Sequence, residues 1–179
     1  MLVEELLDYS QILSGKVNYE EKPVNFSDLF ENISQAIEAS ARERNIESLK
    51  DNRLNGHLIL GDEAKIKIVI YNLLTNAIKF THSGGRIETQ LLETGGKIQM
   101  TVKDNGKGMS SEFLPQIFER FSQADTSSTR NYGGLGLGLT ISKHIVKLHN
   151  GTIEANSEGI GTGSVFILKF PHQKRIQPA

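Results

Sequence analysis

The chain of 179 residues contains no cysteine, which excludes disulfide bridges and metal sites built on thiolates. It also lacks an apolar run near the ~20 residues that a membrane span needs, because Lys67 and Asn72 interrupt the apolar stretch 66–74. The N-terminus has neither the basic region nor the long apolar core of a secretory signal. These absences predict a cytoplasmic location with no membrane contact from this chain, and a membrane anchor of a longer parent would lie outside it.

An excess of charge of one sign is also lacking. The sequence has 20 Lys and Arg residues against 21 Asp and Glu residues, a net charge of -1. No global electrostatic field favours nucleic acid, so we expect no nucleic-acid partner. The 37% hydrophobic and 23% charged residues are typical of a globular domain long enough to bury a core.

Hydrophobic periodicity predicts helices that alternate with strands and hairpins. Three main helices are expected: one from Ser27 as N-cap to about Arg44, one from Asp62 to about Phe80, and one that ends near His149. Strands are predicted at 46–50, 57–60, 86–93, 97–103, 152–157 and 164–170, with a tight turn at 94–96. The expected fold is an α/β two-layer sandwich, in which a mixed sheet of about five strands is covered by three main helices.

The two ends of the chain differ from its middle. Residues 2–13 have the apolar stripe of a short helix, which stops at Gly15 and needs a partner for stability. We therefore divide the chain into a separate helical unit at 1–16, a main domain at 17–172 and a frayed tail at 173–179.

A long irregular segment interrupts the main domain. It runs from Asp104 to Gly138, is rich in Gly, Ser and Thr, and includes a short helical stretch near 113–118. Segments of this length without regular structure are usually functional lids or disordered linkers. We expect a mobile lid over a binding site.

The first of four clusters that carry chemistry lies on the second main helix. Asn72 and Asn76 are four residues apart and project from one side of it, and Lys79 follows one turn later. Two amide oxygens and an ammonium group suit a magnesium ion with attached phosphates, because Mg²⁺ takes oxygen ligands and keeps several waters. The alternative is that the asparagines are exposed polar positions of an amphipathic helix.

The second cluster is Asp104-Asn105-Gly106-Lys107-Gly108-Met109, where a predicted strand ends. The Asp104 carboxylate can accept a hydrogen bond from the exocyclic amine of adenine. Gly106 and Gly108 allow the backbone to approach a flat base. Taken alone, the same residues also fit an ordinary turn.

The third cluster is a glycine-rich run at 133–139 that leads into the last helix. Gly134, Gly136 and Gly138 free backbone N–H groups for phosphate oxygens at a helix N-terminus. A dinucleotide fold is disfavoured because no early βαβ unit precedes the run. A P-loop is disfavoured because Gly-Lys-Ser/Thr is absent.

The fourth cluster precedes the glycine-rich run. Phe118 and Phe121 can anchor one edge of the lid, while Arg120 and Arg130 reach toward phosphate charge. Plain core packing of the two phenylalanines is the alternative, although anchoring a lid is itself packing.

In this order, the four clusters resemble the N, G1, F and G2 boxes of histidine-kinase catalytic domains. These belong to an ATPase superfamily shared with type II topoisomerases and heat-shock chaperones. The resemblance runs from about Pro23 to Pro171. The stretch 121–125 is especially similar to hybrid sensor kinases, which carry a receiver domain downstream.

The resemblance implies ATP and Mg²⁺ as cofactors and assigns roles to individual residues. Asn76 would be the Mg²⁺ ligand with Asn72 assisting, and catalysis would depend on Asn76, Lys79 and Arg130, the last being a lid arginine that can touch the terminal phosphate. The implied nucleotide-binding set is Asn72, Asn76, Lys79, Asp104, Gly106, Gly108, Met109, Phe121, Arg130, Gly134, Leu135, Gly136, Leu137, Gly138 and Ser164. Leu135 departs from the family's commoner small hydroxyl residue, which would alter hydrogen bonding in the lid.

The unit at 1–16 resembles the end of the second helix of the family's dimerisation hairpin. The first helix of that hairpin bears a phosphoacceptor histidine followed by an acidic residue, and no histidine of this chain has that context. The histidines are His57, His82, His144, His149 and His172. The resemblance therefore implies a chain that is inactive in autophosphorylation alone, is monomeric, and comes from a homodimeric parent.

The function implied is transfer of the γ-phosphoryl group of ATP to a histidine on that hairpin, and from there to a response-regulator receiver domain. An ATP-hydrolysing clamp of the topoisomerase type is disfavoured, because that branch uses an acidic residue at the position of Asn72 to activate water. A non-catalytic nucleotide-binding module remains open as the second reading.

Overall fold

The computed structural model of the chain describes residues 19–54, 56–122 and 136–172. The helix predicted at 2–13 and the tail at 173–179 lie outside the described residues. So do residues 123–135, which belong to the predicted lid.

The described residues form three α-helices, one 3-10 turn and seven strands. The helices are α1 (Phe26–Glu43), α2 (Glu63–Phe80) and α3 (Gly138–Leu148), and the 3-10 turn is Leu114–Gln116. The strands are β1 (Lys22–Asn25), β2 (Glu47–Asn52), β3 (Leu58–Gly61), β4 (Arg86–Thr94), β5 (Lys97–Asp104), β6 (Thr152–Asn156) and β7 (Ser164–Pro171).

Five of the strands form one mixed sheet in the order β2-β4-β5-β7-β6. Strand β2 runs parallel to β4, whereas the remaining neighbours are antiparallel. Strands β1 and β3 form a separate antiparallel pair. The predicted two-layer α/β fold with a five-stranded mixed sheet is confirmed, but the strand predicted at 57–60 does not join that sheet. It pairs instead with β1, where no strand was predicted.

The core lies between one face of the sheet and the three helices. Strands β5 and β7 bury alternate residues, as expected for strands with one covered face. The apolar stripes of the helices cover this face, and each fully buried large side chain contributes about 1.5–3 kcal/mol. The largest fully buried side chains include Phe26, Phe30, Ile66, Ile70, Leu73, Leu91, Met100, Leu168 and Phe170.

Helix α1 begins two residues earlier than predicted. Its N-cap is Asn25, whose side chain accepts a hydrogen bond from the Asp28 backbone N–H at 3.4 Å. The predicted cap, Ser27, lies inside the helix, and its hydroxyl accepts from the Asn52 side chain at 2.7 Å. Asn and Ser both cap helices well. Ser27 instead contacts Asn52 of β2, and Asn25 is the cap. The start of α2 is as predicted, because the Asp62 side chain accepts from the Lys65 backbone N–H.

The C-terminal end of α2 is held by a side chain from outside the helix. The Arg44 guanidinium donates to the carbonyl oxygens of Ile78 at 2.6 Å and Lys79 at 3.2 Å. A further bond reaches the carbonyl of Thr81 at 3.3 Å. A cation at this end complements the helix dipole and satisfies carbonyls that have no partner within the helix. Arg44 thereby fixes the end of α2, on which several of the candidate site residues lie.

The short helix predicted near 113–118 is only a 3-10 turn over Leu114–Gln116. Its hydrogen bonds run between residues three apart, from Gln116 to Phe113 and from Glu119 to Gln116. Such bonds rarely extend beyond one turn. Helix α3 ends as predicted, with Asn150 in the left-handed conformation at φ 55°.

His149, just after α3, is a structural residue. Its side chain is 3% exposed, its Nδ1 donates to the Ile145 carbonyl at 2.7 Å, and its Nε2 accepts from the Asp62 backbone N–H at 3.0 Å. This pattern requires the neutral ring. Burial lowers the pKa of His149 below the ordinary value, and the hydrogen bond to Ile145 only partly offsets the effect.

We therefore expect the free energy of unfolding to fall as the pH drops below about 6.5. Above this pH both states hold His149 neutral, whereas below it the unfolded chain gains a proton that the folded chain resists. The loss should approach about 1.4 kcal/mol per pH unit until the lowered folded-state pKa is reached. Urea titrations between pH 5 and 7.5 measure the slope. His149→Gln should flatten it, and the exposed control His82→Gln should not; equal slopes in both variants would remove His149 as the cause.

Candidate functional site

Helix α2 brings the first and third sequence clusters together at Asn72. Its amide Nδ2 donates to the Gly138 carbonyl oxygen at 3.1 Å and lies 3.3 Å from the Ser142 hydroxyl oxygen. Both acceptors belong to the first turns of α3. The N-terminus of α3 is thus fixed beside the asparagine-bearing side of α2. Sequence reasoning did not single out Ser142, which is fully buried in this contact.

The other end of α2 contacts the second cluster. The carbonyl oxygen of Phe80 accepts a hydrogen bond from the Lys107 backbone N–H at 2.9 Å. A Cβ atom at Gly106 would collide with the same carbonyl, so only glycine fits there. The loop after β5 is therefore packed directly on the end of α2.

Asn76 and Lys79 lie between these two contacts. The span from Asn72 to Phe80 is roughly 12 Å along the helix axis. Asn76 is half-buried near its middle, and no hydrogen bond joins its amide to another of the described residues. Lys79 is also a half-buried residue, and its ammonium nitrogen lies 5.1 Å from the centroid of the Phe80 ring. These side chains are thus placed between a strand-end carboxylate and a helix N-terminus.

That carboxylate, Asp104, is the last residue of β5 and is 4% exposed. Its Oδ1 accepts a hydrogen bond from the Gly106 backbone N–H at 2.9 Å. Burial raises its pKa above the ordinary value, while hydrogen bonds from the Gly106 and Ser164 backbone oppose the rise. Ser164 is paired with Asp104 across β5 and β7. No cation pairs with Asp104 among the described residues, and a buried carboxylate without such a partner is costly, which makes Asp104 a candidate for ligand binding.

The backbone after Asp104 is supported by the turn between β6 and β7. Gly108 has φ +65°, and a Cβ atom there would collide with the Gly159 carbonyl oxygen. The Met109 backbone N–H donates to the Ser157 hydroxyl at 2.9 Å, and that hydroxyl contacts the Gly163 carbonyl oxygen at 2.7 Å. Sequence reasoning missed Ser157, although it opens a glycine-rich turn that could have drawn attention.

These contacts give Gly106 and Gly108 a structural role that is independent of any ligand. The side chain of Met109 is 7% exposed and belongs to the core. The expectation that these residues flank a base remains a prediction, and for Met109 most of the side chain is already packed against protein.

At the start of α3, the groups that can contact a ligand belong to the backbone rather than to side chains. Gly136 has φ +69° and approaches the Ser122 carbonyl oxygen, which explains the need for glycine. The side chain of Leu137 is fully buried, so only its backbone can face a ligand. Among the described residues no side chain caps the helix, and its first-turn N–H groups are of the kind that bind an anion. A Cβ atom at Gly138 would meet Asn72 only at ordinary contact distance.

The two phenylalanines of the fourth cluster differ from each other. Phe118 packs against the core, and the Lys143 ammonium lies 5.6 Å from its ring centroid. Phe121 is 61% exposed and has φ +58°. Residues 123–135 lie outside the described part of the chain, so the role of Phe121 at the edge of the lid stays a prediction. Three further predicted residues lie outside the described part of the chain: Arg130, Gly134 and Leu135.

The fold thus brings together the asparagine-bearing side of α2, the start of α3 and the buried carboxylate at the end of β5. Residues 61–174 match the family model described as "Histidine kinase-, DNA gyrase B-, and HSP90-like ATPase". The chain belongs to this family, as its resemblance predicted. Within the described residues, no helix is both long and apolar enough to cross a membrane.

Its curated relatives are histidine kinases. The chain is 37% identical to hybrid signal transduction histidine kinase D of Dictyostelium discoideum, across 95% of the chain and 13% of that protein. It is 35% identical to the circadian input-output histidine kinase CikA of Synechococcus elongatus, across 99% of the chain and 24% of that protein. The chain thus spans less than a quarter of the length of either relative.

Solved histidine kinases share the fold. Full-length ShkA in complex with AMPPNP superimposes with a TM-score of 0.83 at 24% identity, over 99% of this chain and 36% of that one. Histidine kinase ThkA in complex with the response regulator protein TrrA gives a TM-score of 0.73 at 25% identity, over 97% of this chain and 49% of that one. The relatives identify the domain as homologous to histidine-kinase catalytic domains.

Proposed function

We propose that the chain binds Mg·ATP and donates the γ-phosphoryl group to a histidine on a dimerisation hairpin of its parent. The phosphoryl group would pass from there to a response-regulator receiver domain, in the cytoplasm. The observation that carries the proposal is the bridging role of α2. One end of α2 contacts the loop after Asp104, and Asn72 contacts the start of α3. The AMPPNP complex of ShkA and the TrrA complex of ThkA support the same ligand and partner classes.

The polar groups on and around this side of α2 suit Mg·ATP. Asp104 would accept the adenine amine, and the uncapped start of α3 would receive phosphate oxygens. Asn76 would supply an amide oxygen to Mg²⁺, an ion that prefers oxygen ligands and neutralises phosphate charge when bound. Lys79 would add positive charge one turn along from Asn76, and Arg130 would act at the terminal phosphate.

The contacts of Asn72 bear on the alternative that the domain is an ATP-hydrolysing clamp of the topoisomerase type. Its amide nitrogen is a donor to the Gly138 carbonyl oxygen. A carboxylate at this position would place two acceptors against each other, with loss of the contact and repulsion. Asn72 therefore suits a connection between α2 and α3, and it supplies no general base for water. This favours phosphoryl transfer to a partner over ATP hydrolysis.

We expect the chain incubated alone with labelled Mg·ATP to acquire no acid-labile phosphohistidine. Supplied with the hairpin of its own parent, it should label that hairpin at a rate that rises with hairpin concentration. The rate should be slow, since tethering normally provides an effective concentration of order mM. Acid and alkali stability of the label, measured over a hairpin titration, checks both outcomes.

A hairpin that has its histidine, binds the chain and stays unlabelled would contradict the kinase proposal. The non-catalytic nucleotide-binding module would then be the better reading. A hairpin with the acceptor histidine changed to Gln is the matched control, and labelling of that control would show that the wrong residue is being phosphorylated.

A further inference from the structure

A second cluster of polar side chains lies at the end of the large sheet opposite Asp104. It consists of His57, just before β3, Glu93 near the end of β4, and His172, just after β7. One ligand atom from each residue can be chosen so that all three lie within 4.8 Å of one another. Three segments far apart in the sequence therefore converge on one point.

The two separations that involve Glu93 are close to those between ligands of a bound metal ion. His57 Nε2 is 3.7 Å from Glu93 Oε2, and His172 Nε2 is 3.3 Å from Glu93 Oε1. Two atoms that each bind a tetrahedral Zn²⁺ ion at about 2.0–2.1 Å lie about 3.4 Å apart. The two imidazole rings meet edge to face at 5.2 Å between centroids, and each ring has its Nε2 near the carboxylate.

The burial of His172 is the second observation. Its side chain is only 6% exposed, its Nδ1 has no hydrogen-bond partner among the described residues, and its Nε2, although 3.3 Å from Glu93 Oε1, makes no well-aligned hydrogen bond. Buried polar atoms nearly always have a partner, and an exception calls for a cause such as an ion. The adjacent Glu93 carboxylate is 46% exposed and His57 is 24% exposed, which leaves an approach from solvent.

We propose that His57, Glu93 and His172 form a binding site for a divalent first-row metal ion, with Zn²⁺ as the best-fitting member. Two imidazoles and one carboxylate are a ligand set that Zn²⁺ accepts, with a fourth position left for water or another donor. Mg²⁺ and Ca²⁺ prefer oxygen ligands and fit the set poorly. A bound ion would link the residue before β3 to the ends of β4 and β7.

The site is distinct from the nucleotide site. Asp104 lies at one end of β5, and the cluster lies beyond the other end, where Lys97 pairs with Thr94 and Pro171. The length of β5 separates the two by roughly 20 Å. Metal binding and nucleotide binding can therefore be measured independently.

The test is a Zn²⁺ titration of the full chain without a polyhistidine tag, followed by competition with a fluorescent chelator. We expect one equivalent to bind, and the thermal midpoint to rise with Zn²⁺ because the ion binds the folded state. Loss of an outer-shell partner alone weakens metal sites about 10–100-fold, so His57→Gln and His172→Gln should each weaken binding by about a hundredfold or more. Millimolar Mg²⁺ should not displace the ion.

His82→Gln is the matched control. It removes an exposed histidine elsewhere and should bind Zn²⁺ like the unsubstituted chain. Far-UV circular dichroism of the metal-free variants and their affinity for an ATP analogue show whether each is folded. The proposal would be overturned if folded His57→Gln and His172→Gln variants bound Zn²⁺ as tightly as the unsubstituted chain. The proposal would also be overturned if the unsubstituted chain bound no equivalent of Zn²⁺.

Discussion

Asp104→Asn is expected to weaken binding of an ATP analogue about ten- to a hundredfold while leaving the domain folded. The substitution keeps the size but replaces an anionic acceptor with an amide. A hydrogen bond to a charged group contributes about 1.5–3 kcal/mol, which corresponds to that loss of affinity. Isothermal titration of the parent and the variant measures it directly.

The same substitution should change the free energy of unfolding by less than about 1 kcal/mol. Burial raises the pKa of Asp104, so removing the charge relieves a desolvation cost that offsets one weakened N–H bond from Gly106 or Ser164. Asp51→Asn changes a partly exposed carboxylate on β2 and is the matched control, with no expected change in affinity. If Asp104→Asn is folded and binds normally, Asp104 is not the adenine contact.

Asn76→Ala is expected to abolish labelling of the hairpin and to remove the advantage of Mg·ATP over metal-free nucleotide. The change deletes a proposed ligand to the ion, and the loss should be about tenfold or more in the presence of Mg²⁺. Titrations of an ATP analogue with Mg²⁺ and with a chelator separate the two contributions. Equal losses under both conditions would mean that Asn76 only supports the fold.

Asn72→Ala provides the contrast, because Asn72 has a structural partner and Asn76 has none among the described residues. Loss of the bond to Gly138 should lower the free energy of unfolding by about 1–2 kcal/mol. Asn76→Ala should change it by less than half as much. Similar destabilisation by both variants would argue against separate roles for the two asparagines.

The elements that local patterns determine were predictable from the sequence. The β4–β5 hairpin follows from alternating polarity and from Gly95 and Gly96, which adopt φ values of 57° and 74°. The three helices follow from apolar spacing at 3.6 residues per turn. Strand partners were not predictable, because the parallel pairing of β2 with β4 and the separate pairing of β3 with β1 depend on packing across the whole domain.

The site was predictable as a set of residue types but not as a set of contacts. The sequence indicates Asn72 and Gly138 as functional, yet their hydrogen bond joins residues far apart in the chain. The packing roles of Gly106 and Gly108 depend on Phe80 and Gly159, neither of which is indicated by a local pattern. His57, Glu93 and His172 have no common motif, because their convergence arises from strand order.

The loop after Asp104 and the start of α3 are both anchored on a single helix, α2. The first residues of the loop rest on the C-terminal end of α2, and the start of α3 is held by Asn72. A displacement of α2 would therefore move both anchors together, so the loop after Asp104 and the start of α3 are expected to shift as one unit.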